Sequence, residues 1–316
     1  MINQVPQYND IQLAHERIKP FIHRTTVLTS SSINKILNAE IYFKCENFQK
    51  VGAFKFRGAT NAVRLLTSEE ANKGVTTHSS GNHAAALSLA AKQLGIPAYI
   101  VMPVNAPDIK KKAVEGYGAE ITFCKPTLQA REETLAKVQE RTGATFIHPY
   151  NNFNVVCGQG TAAKELLEDF PDLDIIIAPV GGGGLMSGTA ISAKAIKNNI
   201  KVFGAEPLNA DDAYRSFKNG TLIPAGPPNT IADGLLTSLG TLTFHIIREK
   251  VDDIYTVREE TIIEAMRMVW ERMKIIIEPS AAVPLASVFE NPGLFRGKKV
   301  GIIFSGGNVD LNKLPF

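Results

Sequence analysis

Lys55 stands in Gly52-Ala53-Phe54-Lys55-Phe56-Arg57-Gly58-Ala59, between two aromatic rings and with a glycine three residues to either side. After it, Ala59, Ala62, Val63 and Leu66 recur at spacings of three and four, the pattern of an apolar helix. A lysine at the start of such a helix meets the positive end of the macrodipole, and burial strips its hydration. Both effects favour the neutral amine, the form that condenses with a carbonyl. The competing reading is a surface lysine whose stem runs past Phe54 and Phe56.

A second stretch suits an anion. Ala178-Pro179-Val180-Gly181-Gly182-Gly183-Gly184-Leu185-Met186 follows an apolar run and opens a helix. Four glycines permit close backbone approach, and the free N–H groups of a helix start suit a phosphate. Because Glu206 follows about twenty residues on, as an acidic residue does in a dinucleotide unit, a nicotinamide cofactor is the local rival.

Three further polar stretches fall at expected strand ends. In Ser79-Ser80-Gly81-Asn82-His83, Ser80 offers a hydroxyl acid/base, Gly81 and Asn82 offer backbone N–H groups to a carboxylate, and the Asn82 amide suits a phenolic oxygen. The same residues also make an ordinary helix cap. Glu206, Ala210 and Asp212 present oxygens suited to Mg2+ or Ca2+, or else solvated acids at a helix start. Ser305-Gly306-Gly307-Asn308 supplies a hydroxyl after the last strand, or simply a glycine turn.

The elements that must carry these loops alternate. Strands are expected at 41–45, 75–78, 98–102, 120–124, 145–148, 174–180, 202–206, 254–257 and 299–304. Helices are expected at 10–19, 33–37, 84–94, 108–117, 127–141, 160–170, 185–197, 211–218, 259–273 and 280–289. Short apolar strands separated by helices imply an α/β fold with two open, twisted, mostly parallel sheets covered by helices on both faces. The run from 75 to 148 reads as a smaller domain inserted into a larger one formed by 1–74 and 149–316. In such sheets ligands gather at the carboxyl ends of strands, where Ser79, Gly181, Glu206 and Ser305 all fall.

The whole chain has 316 residues, is 44% hydrophobic and carries a net charge of +3. Its basic residues are scattered, which argues against nucleic acid. No apolar run approaches the roughly 18 residues of a membrane helix, and the start has no signal-peptide pattern. Three cysteines without paired spacing fit a reducing cytoplasm. No zinc spacing, GxSxG or HExxH motif is present.

Taken together, these stretches resemble the pyridoxal-phosphate enzymes of the serine racemase and serine/threonine dehydratase family, of the tryptophan synthase β-like fold type II. The match rests on Gly52 to Ala59, Ser79 to His83, Gly181 to Gly184, Thr230-Ile231-Ala232-Asp233-Gly234, Glu278-Pro279-Ser280 and Ser305 to Asn308, in the family's order. The nicotinamide reading explains neither Lys55 nor Ser305. The resemblance implies that Lys55 holds pyridoxal 5'-phosphate with Phe54 beside the ring, and that Asn82 bonds the phenolic oxygen. It places Gly181, Gly182, Gly183, Gly184 and Met186 at the phosphate and Ser305 at the pyridine nitrogen.

Lys55 and Ser80 are the implied catalytic pair on opposite ring faces. Ser79, Ser80, Gly81, Asn82, His83 and Arg131 are the implied substrate contacts. Glu206, Ala210 and Asp212 become a divalent-cation site for Mg2+, Ca2+ or Mn2+. The implied reaction is elimination from serine, threonine or 3-hydroxyaspartate, with serine racemisation at the same site, by a homodimer. Ala85 and Tyr150 stand where animal serine racemases carry amides, which argues against ATP activation despite matches at Lys50, Tyr117, Lys274 and Asn308.

Overall fold

The computed structural model describes residues 4–79, 81–106, 108–227 and 229–316. Its strands are β1 (Val27–Leu28), β2 (Glu40–Cys45), β3 (Val75–His78), β4 (Ala98–Pro103), β5 (Glu120–Cys124), β6 (Thr145–Phe146), β7 (Ile175–Pro179), β8 (Lys201–Pro207), β9 (Asp253–Val257) and β10 (Lys299–Phe304). Two sheets result, in the orders β1-β2-β10-β7-β8-β9 and β5-β4-β3-β6. Every pairing is parallel except β1 with β2.

Burial explains why the strands read as apolar runs. β7 is buried along its whole length, because helices cover both faces of its sheet. In the centre Ile302 of β10 lies opposite Phe43 of β2 and Ile177 of β7, so the register sets a continuous apolar layer. The core under the four-stranded sheet also takes Phe56, Ala59, Ala62 and Val63 from the helix Lys55–Val63.

One helix departs from expectation in a way that matters. The segment expected to begin at 160 starts at Asn152, whose side chain caps the helix Phe153–Asp169 by accepting the Val155 N–H at 3.0 Å. Gly158 and Gly160 look like helix breakers in sequence, but here they are contact points. A Cβ at Gly158 would lie 2.6 Å from the Arg57 carbonyl oxygen, and one at Gly188 would lie 2.5 Å from the Gly160 nitrogen. The helix therefore touches both the Lys55 helix and the helix Gly184–Ile196 backbone to backbone. A further helix, Thr241–Lys250, is absent from the sequence reading because Thr241, Thr243, Ile246 and Ile247 give it a β-branched composition.

A buried ion cluster ties these parts together. Arg57 donates to Glu46 from Nε at 2.7 Å and from Nη2 at 2.8 Å, and to both Glu165 oxygens at 2.8 Å. Lys44 Nζ donates to Glu165 and to the Thr25 carbonyl, both at 2.7 Å. All four charged side chains are at most 1% exposed. Burial would raise the Glu165 carboxyl, but Arg57 and Lys44 override it and hold it at about 2.

Removing one member leaves uncompensated charge. Arg57→Met is expected to cost about 3–5 kcal/mol in urea unfolding. A loss below about 1 kcal/mol would show that the cluster contributes little beyond packing. Because the Glu165 value is depressed, its contribution is full above the ordinary carboxylate value and lost as pH falls toward 2.

Candidate active site

Lys55 opens its helix directly after a stretch zipped to the end of β10. Phe54 N–H donates to the Ser305 carbonyl at 3.0 Å, Gly307 N–H donates to the Gly52 carbonyl at 2.9 Å, and Ala53 bridges Gly306. Lys55 Nζ donates to the Pro149 carbonyl at 2.9 Å and lies 5.1 Å from the Phe54 ring centroid. His148 fixes that carbonyl, since its Nδ1 accepts the Tyr150 and Asn151 N–H groups at 3.3 and 3.0 Å. Burial pushes His148 down to about 4, so the ring stays neutral and keeps that lone pair. Burial likewise pushes Lys55 down to about 8, with Glu278 pulling the other way.

Lys55 opens into a cavity of about 360 Å³ between the two sheets. Phe54, Ser79, Gly81, Asn82, His83, Arg131, Gly181, Gly182, Gly183, Gly184 and Ser305 share its lining, so most of the expected site residues meet in one place. Ser80 lies outside the described residues. His83 faces the cavity, is pushed down to about 3 by burial, and bonds the Ile147 carbonyl through Nε2 at 3.1 Å. A carbonyl only accepts, so Nε2 carries the proton and Nδ1 is left as a buried acceptor without a partner.

The glycine loop is shaped by its neighbours. A Cβ at Gly182 would fall 2.3 Å from the Tyr150 ring, so that position admits glycine alone. Thr243, from the unexpected helix, donates to the Gly182 carbonyl at 2.8 Å and turns that oxygen inward to protein. The first N–H groups of the helix Gly184–Ile196 have no intrahelical partner and remain for an anion. Met186, expected at the phosphate, lies fully buried, with its side chain in the core beneath the loop and outside the cavity lining.

Several cavity residues were not singled out as site residues from sequence. Glu278 is 2% exposed and accepts the Asn82 Nδ2 amide at 3.0 and 3.1 Å. Burial and the Asp233 charge push it up to about 7, against Lys110 and Asn82. Lys110, on the helix Asp108–Gly116, pairs with Asp233 across the cavity. Glu278 heads Pro279–Glu290 with proline at the first turn, which reads from sequence as an ordinary helix start.

Arg131 lines the cavity with a buried Nε that has no hydrogen-bond partner. A guanidinium in the lining of a cavity is suited to a carboxylate. Glu206, Ala210 and Asp212 cluster instead at the end of β8, away from the cavity lining. Glu206 is fully buried and accepts the Ala213 and Tyr214 N–H groups at 3.1 and 2.9 Å. That position removes it from any ribose in the cavity. Both Asp212 oxygens are buried without partners. Burial raises Glu206 well above its usual range and Asp212 to about 6. Among the described residues no three His, Cys, Asp or Glu side chains form a metal cluster. Orphaned buried oxygens nevertheless fit a hard cation.

The cavity fits pyridoxal 5'-phosphate on its own chemistry. It holds an amine with a lowered proton affinity, an anion loop cut to glycine, and the buried hydroxyl of Ser305. The comparisons agree. The family model described as "Pyridoxal-phosphate dependent enzyme" matches residues 18–306. The β-hydroxyaspartate dehydratase of Paracoccus denitrificans is 53% identical, with 99% of each chain covered. The crystal structure of serine racemase from Dictyostelium discoideum superposes with a TM-score of 0.92 at 54% identity, covering 96% of this chain and 99% of that one. Threonine deaminase from T.th. gives a TM-score of 0.93 at 42% identity, covering 97% of this chain and 99% of that one.

With a value of about 8, about a tenth of Lys55 is neutral at pH 7, and the fraction grows as pH rises. Reductive methylation of the ligand-free protein, mapped by peptide mass, is expected to modify Lys55 with a rate midpoint near pH 8. A midpoint near the ordinary value of 10.5 would contradict the lowered affinity.

Proposed function

Since the chain belongs to the pyridoxal-phosphate dependent enzymes, we propose that it eliminates water and then ammonia from β-hydroxy amino acids to give 2-keto acids, and racemises serine at the same site. The observation that carries this is the meeting of Lys55, the glycine loop and Ser305 in one cavity. The P. denitrificans dehydratase, the D. discoideum racemase and the threonine deaminase all lie within this range of activity. A reading as primarily a serine racemase differs only in the ratio of the two outcomes. The nicotinamide reading is withdrawn, because the family match includes the glycine loop and Glu206 does not reach the cavity.

Lys55, Asn82, the Gly181–Gly184 loop with the Met186 N–H, and Ser305 would hold the cofactor, with Phe54 beside it. Pyridoxal phosphate supplies a carbonyl for the substrate amine and a ring that withdraws electrons from Cα. The neutral Ser305 hydroxyl makes that withdrawal moderate, because it cannot stabilise a ring proton as a carboxylate does. Lys55 Nζ accepts the Cα proton, which its lowered affinity and the receiving Pro149 carbonyl both allow. The start of the helix Asn82–Leu94, with Ser79, Gly81 and His83, holds the substrate carboxylate through backbone N–H groups.

In elimination the Cα–H and Cβ–O bonds break, the hydroxyl leaves as water, and hydrolysis of the resulting enamine releases keto acid and ammonium. In racemisation Ser80 returns a proton to the opposite face of Cα. Arg131 receives a side-chain carboxylate, which favours 3-hydroxyaspartate among the three substrates.

Glu206, the Ala210 carbonyl and Asp212 bind Mg2+, Ca2+ or Mn2+, a choice that the oxygen-only donor set supports. Residues 1–74 and 149–316 form the cofactor domain and 75–148 the inserted one. A homodimer in the cytoplasm is the proposed setting. The three cysteines are free and buried, which suits a reducing compartment. Among the described residues no helix is long and apolar enough to cross a membrane.

Four substrates separate the roles: L-serine, D-serine, L-threonine and 3-hydroxyaspartate, assayed for keto acid and enantiomer. Lys55→Ala is expected to lose all activity. Arg131→Leu is expected to lower kcat/KM for 3-hydroxyaspartate at least tenfold more than for serine, the scale of one lost ionic hydrogen bond. Equal losses would remove Arg131 from substrate choice, and full activity in Lys55→Ala would overturn the mechanism. Mg2+ added to chelator-stripped protein is expected to raise the melting temperature, and Asp212→Asn to abolish that gain. No Mg2+ response in the parent would remove the cation site.

A further inference from the structure

Asn82 lines the cavity, and the orientation of its amide is set by two residues, Glu278 in the lining and Asn308 outside it. Asn308 Nδ2 donates to the Val51 carbonyl at 2.8 Å and to Asn82 Oδ1 at 2.9 Å. The assignment of these amides follows from chemistry. A backbone carbonyl only accepts, so the Asn308 atom facing Val51 is the NH2 nitrogen. Both of its hydrogens are then spoken for, one by Val51 and one by Asn82, and Asn82 must offer its oxygen in return. Its nitrogen is left facing Glu278, whose two carboxyl oxygens receive it at 3.0 and 3.1 Å.

The same Asn308 amide grips a strained turn. Val51 has φ of 58° and ψ of 11°, a left-handed conformation that a β-branched residue rarely adopts. Gly52 follows at φ of 66°, and a Cβ there would fall 2.7 Å from Asn308 Oδ1. That turn lies three residues ahead of Lys55, and the Asn308 bond is a side-chain hold on its first carbonyl.

We propose that Asn308 is a positioning residue: through one amide it takes the Asn82 oxygen, so that with Glu278 it turns the Asn82 nitrogen toward the Glu278 side of the cavity lining, and it holds the strained turn that leads into Lys55. The proposal rests on the reading of the cavity as the pyridoxal phosphate site, where a donor from Asn82 meets the phenolic oxygen. The carboxylate introduced by Asn308→Asp presents only acceptors at neutral pH. Asn82 would then turn its nitrogen to that carboxylate and its oxygen to Glu278 and the cavity.

The test is a double-mutant cycle of Asn308→Asp and Asn82→Ala, read as the pyridoxal phosphate dissociation constant of the stripped protein and the absorption band of the reconstituted one. Asn308→Asp is expected to weaken binding about tenfold and to shift the band. In the Asn82→Ala background the added Asn308→Asp is expected to cost less than about threefold. Asn308→Ser enters the same cycle, so poor folding of Asn308→Asp does not end the test, and melting of the cofactor-free proteins reports the hold on Val51. Losses that multiply in the cycle, or an unchanged band with wild-type affinity in both single Asn308 variants, would overturn the proposal. A parent chain that fails to bind pyridoxal phosphate would instead overturn the reading of the cavity.

Discussion

The position of Lys55 depends on the buried ion cluster around Arg57, two residues further along the same helix. Arg57 reaches Glu46 at the end of β2 and Glu165 on the helix Phe153–Asp169, and Lys44 closes the group from β2 itself. Desolvating four charges is costly, and apolar replacements of such clusters are often no less stable. What the cluster provides is geometry, because a guanidinium donates to two carboxylates in few arrangements. The glycine contacts at Gly58, Gly158, Gly160 and Gly188 then bring three helices to backbone distance. Together they fix where the Lys55 side chain starts.

From that fixed point the electrostatics of the cavity follow. Burial keeps His83 and His148 neutral, lowers Lys55 to about 8 and raises Glu278 to about 7, so the last two change charge near neutral pH. Glu278 partly opposes the effect on Lys55, and Lys110 opposes it on Glu278. The Lys110–Asp233 pair also joins the helix Asp108–Gly116 to the loop before the large-sheet helices, so charge balance and enclosure depend on the same contact. Ser305 adds a buried, neutral hydroxyl to the same cavity.

Much of this was legible in the residues themselves. Lys55 between rings, four consecutive glycines and the Ser79–His83 loop each mark a local chemical need, and strand–helix alternation implied the two mostly parallel sheets. Other features were hidden because they exist only across space. Glu278 and Lys110 look like a helix start and a surface lysine until folding aims both into the cavity. Gly158 and Gly160 mimic helix breakers because the backbone contact that requires them comes from helices distant in sequence. The helix Thr241–Lys250 has a strand-like composition, yet its Thr243 fixes the glycine loop. Met186 was marked by its place in the loop motif, and its side chain packs in the core beneath that loop.

The central claim is that Lys55 is the amine that holds pyridoxal phosphate. Borohydride reduction of the loaded protein followed by peptide mapping tests it most directly. The account predicts the phosphopyridoxyl group on Lys55, in the peptide that carries Phe54 and Phe56. Stoichiometric labelling of another lysine, such as Lys110 across the cavity, with Lys55 unmodified, would contradict it.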